Sequence, residues 1–246
     1  MIIADSVRSL TDPIGDLGGR WMLDPEVLDP CREVGYPNGY AYYVTGRGGV
    51  LGDVDADVVA SAFGFFAPSL LRKMWEAGLA VESGRASAAR YGAACAEFGR
   101  RRMAGYQDAD RLAELAGRLA AGVNGAGLAL FAGWRSEPLP ADAEGRAYFL
   151  MHVLRELRGS VHVLAVVASG LTPVEAVLAT GGEANAARFG WAEPFPTVAA
   201  EAKAPAEQLT DRVLTQLYAS VLSEAEAAEL AALVHGLHQH LGPRSH

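Results

Sequence analysis

Helix punctuation, repeated along the whole chain, constrains this sequence more than any other feature. Asp precedes Pro at positions 12–13, 24–25 and 29–30. A carboxylate that accepts from free backbone N–H groups, followed by a residue whose φ is already set, is how helices begin. Pro68 opens "PSLLRKMWEAG", and Gly35, Gly46 and Gly78 read as stops. "TPVE" (172–175) and "SEAE" (223–226) have the capping-box pattern, in which hydroxyl and carboxylate each satisfy a free backbone donor. Between these marks lie long alanine-rich segments, "SAARYGAACAEFGRRRMAG" and "DADRLAELAGRLAAG", which favour helix on propensity. Residues 141–168 place Leu150, Leu154, Leu157, Val161 and Leu164 on one apolar stripe. Strand signals are scarce. The expected fold is all-α.

The order of elements hints at duplication. Residues 40–75 read as helix, glycine turn, Asp-capped helix, Pro-started third helix and Trp75. Residues 161–191 read as helix, Gly170, Thr-capped helix, short third helix and Trp191. Each resembles a helix-turn-helix core with its supporting helix. "GWRSEPLPADAEG" (133–145) is the linker candidate, because polar residues and prolines interrupt the helices there. It divides the chain into an N-terminal unit, 1–135, and a C-terminal unit, 136–246. The second ends in a helical hairpin, 206–221 and 224–241, with Leu209, Val213 and Leu217 expected to face Leu230, Leu233 and Leu237. Leucine and valine exceed what one antiparallel seam would bury, so the hairpin is expected either to support a homodimer or to pack its surplus against the helix at 141–168 within one chain.

Composition narrows the function classes. The 246 residues carry a net charge of −8, which disfavours nucleic acid and anionic membranes as partners. Cys31 and Cys95 form no CxxC pair, which argues against a disulfide framework or a cysteine zinc site. "MIIADSVRSL" lacks the pattern of a signal peptide, and "VHVLAVVASG" is too short to span a bilayer. A cytoplasmic location is expected.

"GRGGVLGDVDADVV" (46–59) imitates two binding motifs and completes neither. Counted from Asp53 as a calcium loop, it has Val58 where glycine is needed and Gly64 where the closing glutamate is needed. Read as a dinucleotide fingerprint, it has Leu51 in place of the third glycine. A turn followed by a helix capped by Asp53 or Asp55 explains these residues. Arg47 alone is left over; it is expected either in a salt bridge or holding a carboxylate or phosphate.

The polar cluster "HVLRELRGSVH" (152–162) lies within an otherwise apolar helix. His152 and Glu156 share a face and are the candidate catalytic acid–base pair. The alternative is a buried ion-pair network that joins this helix to its neighbours. Arg155, Arg158 and His162 belong to the same cluster. With Arg47 and the aromatic residues Tyr40, Tyr43, Phe63 and Phe66 they form the candidate ligand-binding set. No metal site is expected: H-E-x-x-H is absent, and the tail histidines His235, His238, His240 and His246 lack a completing cysteine or carboxylate. No cofactor is implied. From Gly159 to Ala187 there is no Lys or Arg, so the expected reading helix "TPVEAVLATGG" lacks the cations that phosphate contact requires.

At "GRGGVLGDVDADVV" and "HVLRELRGSVHV", the chain resembles an uncharacterised actinobacterial helix-turn-helix-like family, also described as SalK-like. "GRWMLDPE", "LFAGWR" and "ATGG…FGW" extend the similarity over most of the chain. The resemblance implies winged-helix-like units, with last helices similar to those of ligand-responsive regulators of the MarR type. It assigns no reaction. Three readings stand: a small-molecule-binding protein with a degenerate DNA-binding surface, a cofactor-independent biosynthetic enzyme using His152 and Glu156, and a ligand-responsive transcriptional regulator.

Overall fold

The computed structural model describes residues 2–243; His246, one of the tail histidines, lies outside them. The chain is helical throughout, as its punctuation predicts. In order, the helices are α1 (Ile3–Ser9), α2 (Thr11–Leu17), α3 (Pro25–Leu28), α4 (Cys31–Val34), α5 (Gly39–Gly48), α6 (Ala56–Phe63), α7 (Pro68–Leu79) and α8 (Gly84–Arg102). Then follow α9 (Ala109–Gly122), α10 (Ala129–Trp134), α11 (Ala143–Ala168), α12 (Pro173–Arg188), α13 (Ala204–Ala219) and α14 (Glu224–Leu241). Among the described residues no strand forms, so the helix-turn-helix units are present without a β wing.

Several starts follow the local chemistry. Asp24 accepts from the Glu26 amide ahead of Pro25, and Thr172 and Ser223 each close a full capping box. Other signals act differently from their local reading. α2 begins at Thr11, so Pro13 falls inside its first turn and Asp12 is not the cap. Asp53 accepts from the Gly84 amide at 2.8 Å and caps α8, while Asp55 takes the cap position of α6 without a side-chain bond. Gly46 does not stop α5. A β-carbon there would lie 2.6 Å from the Tyr91 ring, so the glycine permits α5 and α8 to cross closely.

α11 is the axis of the molecule. α2, α8, α9, α10 and α13 pack around it, and its buried residues run from Gly145 to Val166. One hydrophobic cluster extends from Val7 to Leu237, so segments 1–135 and 136–246 share a core. α13 and α14 do follow one another as a helical pair, but their apolar faces have other partners. Both pack on α1; α13 also lies on α11, and α14 on α9 and α2. Leu209, Val213 and Leu217 accordingly face Val161, Leu164 and Ala165 of α11. The apolar surplus that points to a homodimer in the sequence is therefore largely taken up inside the chain. Leu214, Leu230, Val234 and Leu237 are buried, and Val213, Leu217, Val221 and Leu233 pack against the core.

Both helix-turn-helix-like units are present. In the first, α5 is followed by a 3-10 turn at Gly49–Leu51, then α6 and α7. In the second, the end of α11 leads through Gly170 to α12, which is bent at Gly182 (φ 66°) so that its last residues form the short third helix.

Among the described residues, no single helix is long and apolar enough to cross a membrane.

Candidate ligand-binding site

The site begins with one charge placed in the core. α5 is buried from Ala41 to Gly48, so Arg47 is almost wholly withdrawn from water and needs a counter-charge inside. It finds Glu156, three turns into α11. Arg47 Nε donates to Oε1 and Nη2 to Oε2, both at 2.9 Å. The planar fork matches both carboxylate oxygens. Arg155 Nη1 adds a third donor to Oε1 at 3.0 Å. Arg47 Nη1 donates to the Tyr43 hydroxyl at 3.3 Å, and the guanidinium lies over the Phe63 ring at 4.3 Å.

Electrostatics fixes the protonation states. Burial alone would push the Glu156 carboxyl up, but Arg47 and Arg155 outweigh it and hold it at about 2. Burial likewise works against the charged form of Arg47, and Glu156 reverses the effect, so Arg47 stays protonated. His152 has the opposite fate. Burial pushes it down to about 4 despite Glu156 nearby, leaving a neutral imidazole. Its Nδ1 is 3.4 Å from the Gly18 carbonyl oxygen and 4.0 Å from Glu156 Oε1, and its ring sits edge-on to Trp21 and Trp134. A β-carbon on Gly18 would meet Arg155 Cβ at 2.6 Å, which is why the end of α2 can approach α11 here.

On the open side of this network is a cavity of about 300 Å3. It brings together Tyr40, Tyr43, Arg47, Phe63, Phe66 and Arg155 from the sequence-derived set. The other candidates lie elsewhere. Arg158 donates to Glu207, and His162 Nδ1 stands 2.9 Å from the Thr210 hydroxyl, so both tie α11 to α13. His152 and Glu156 have no exposed surface and do not line the cavity. Glu156 is bonded inside the core to Arg47 and Arg155, the arrangement of a buried ion-pair network. Among the described residues, no group of three His, Cys, Asp or Glu side chains is placed to hold a metal ion.

Arg188 and Phe189 complete the cavity, and sequence reasoning missed both. They follow the bend at Gly182. Phe189 stacks tilted on Phe66 with ring centroids 4.5 Å apart. The segment is latched across the cavity by the Ala67 amide donating to the Phe189 carbonyl (2.8 Å) and Trp191 Nε1 donating to the Phe65 carbonyl (2.8 Å). Their signal in the sequence is the "FGW" of 189–191, which carries the resemblance but names no role.

The sequence profile of a helix-turn-helix family matches residues 7–195, which spans both units and the cavity between them. No curated protein matches the chain, and no solved structure does.

Proposed function

The chain belongs to a helix-turn-helix family, and on that premise we propose that it is a small-molecule-binding member whose second unit no longer reads DNA. The cavity carries this reading. It is walled by both units, lined mainly by aromatic and aliphatic side chains with a few convergent polar groups, and of the size small ligands occupy (roughly 300–1,000 Å3). Supporting it, α12 carries Glu175 and no cation before Arg188, so its outer face offers nothing to phosphate.

A thermal-shift screen of the full chain against small acids and aromatic metabolites tests the proposal. A true ligand at a hundredfold excess over its Kd stabilises by about 2.7 kcal/mol, enough for a clear rise in Tm. No shift across a broad library would reject it.

The second reading, a transcriptional regulator, draws on the family itself and on α7, whose Arg72 and Lys73 point outward. Against it, Arg72 already pairs with Asp57 at 2.6 Å. Retardation assays at low and moderate salt separate the two readings. The small-molecule reading expects no shifted DNA at moderate salt, and a salt-dependent shift lost in Arg72→Ala/Lys73→Ala would favour the regulator.

A further inference from the structure

The proposed ligand site has a charge imbalance that its structural role does not explain. Three arginines, Arg47, Arg155 and Arg188, line the cavity, and among the described residues no Asp or Glu does. The one carboxylate behind its wall, Glu156, already accepts two bonds from Arg47 and one from Arg155. That leaves about two unbalanced positive charges facing a small cavity in a chain of net charge −8.

Many arginines elsewhere are matched, among them Arg20 with Asp16, Arg90 with Glu82, Arg100 with Asp142, Arg111 with Glu229 and Arg118 with Glu226. Arg188 is exposed and forms no ion pair with a carboxylate among the described residues. Arg155 gives one nitrogen to Glu156, is itself partly exposed, and lines the cavity. The Tyr43 hydroxyl accepts from Arg47, which leaves its own proton to donate. These three groups share the cavity lining with Phe63, Phe65 and the stacked pair Phe66 and Phe189, and with aliphatic side chains such as Met22, Leu130 and Val163.

Resting on the small-molecule reading, we propose that the cavity takes a planar, apolar-bodied carboxylate. Its ring lies among Phe63, Phe66 and Phe189, and its carboxylate is held by Arg155, Arg188 and the Tyr43 hydroxyl. Arg47 is not the ligand's partner, because its fork is already committed to Glu156; it supplies the fixed charge behind the site. A cavity of about 300 Å3 limits the body to one or two fused rings.

Acid and amide pairs of the same shape test this, with 1-naphthoate beside 1-naphthamide and indole-3-acetate beside its amide, titrated calorimetrically into the full chain. The proposal expects the acids to bind and the amides to bind at least tenfold more weakly. In Arg188→Ala and Arg155→Gln, acid affinity should fall on the order of tenfold or more, while amide affinity stays unchanged. Arg188 is on the surface, so its variant keeps the fold even where Arg155→Gln loosens the Glu156 network. Equal binding of acid and amide would overturn the carboxylate assignment and leave the small-molecule reading standing. Binding of neither pair would overturn the carboxylate assignment, while a shift in the wider thermal screen would still uphold the small-molecule reading. Acid binding unaffected by either substitution would place the anion elsewhere and overturn the proposal.

Discussion

The two helix-turn-helix-like units share an order of elements and differ in what they are packed against. The first is built into the core: α5 is buried over nearly its whole length, and its Arg47 is bonded to Glu156 of the central helix. The second is peripheral. Its own hydrophobic cluster consists of Val166, Ala176 and Ala206 with Phe65 and Leu171 against it, and most of α12 after Thr180 is exposed. The same topology thus serves as scaffold in one place and as a thinly attached wall in the other. Substitutions in the first unit should act on global stability, and substitutions in the second on the local order of residues 173–191.

The largest effect is expected at Glu156. Glu156→Ala leaves Arg47 buried without its counter-charge, at a cost of about 3–5 kcal/mol. Asp53→Ala removes only one cap bond to Gly84, worth about 1 kcal/mol. Chemical denaturation of both variants would show the difference, and equal midpoints would contradict the buried-network account.

Acid should weaken the core in two stages. His152 stands at about 4 in the fold against an ordinary 6.5, so between these values the unfolded chain binds a proton that the native chain does not. Stability from this source is complete above about pH 6.5 and is lost as pH falls toward 4, on the order of 3 kcal/mol in all. Burial also lowers His162, and it adds to the same window. Glu156, held at about 2 against an ordinary 4.5, begins a second loss below about pH 4.5. His152→Gln should reduce the upper stage to the share that His162 contributes and spare the lower one; unfolding free energies measured across pH 3–8 would check this. An unchanged upper slope would assign it to other groups.

Glycines sharpen the contrast. Gly46→Ala forces a β-carbon against Tyr91, which is fully buried and whose hydroxyl donates to the Met22 carbonyl. Overpacking of this kind costs about 1–3 kcal/mol, and it should appear as a lower global denaturation midpoint. The smallest effect belongs to the second unit. Thr172→Ala breaks a capping box worth about 1 kcal/mol. Hydrogen exchange should quicken in residues 173–191 while amides of α5 and α8 keep their protection. Faster exchange throughout would mean that the two units unfold together.

How much of this was legible in the sequence follows from the range of each interaction. The caps at Asp24, Thr172 and Ser223 act within three residues, and a local reading finds them. Asp53 looks equally local but caps a helix 31 residues away. Gly46 and Gly78 resemble helix stops because a glycine that ends a helix and one that lets two helices touch are the same letter. A β-carbon at Gly78 would lie 1.7 Å from the Thr45 hydroxyl oxygen. Arg47 and Glu156 each stand out from their surroundings, Arg47 as a cation without a structural task and Glu156 as an acid on an apolar helix. Their pairing spans 109 residues, which no spacing rule covers. Arg188 and Phe189 enter the site only because α12 bends at Gly182, and no local pattern fixes the direction of that bend.

The central claim is that the space between the two units is a binding site, and Gly159 offers its most direct test. Gly159 lines the cavity from the middle of α11, and a β-carbon there would meet nothing within 4 Å. The β-carbon of Gly159→Leu therefore meets no clash, and the variant should put its side chain into the space a ligand would use and raise helix stability by up to about 1 kcal/mol. Calorimetric titration of this variant with the compound that most stabilises the native chain is the measurement. The account predicts a fold at least as stable as the parent and no detectable binding. Binding at parental affinity in the stable variant would contradict it.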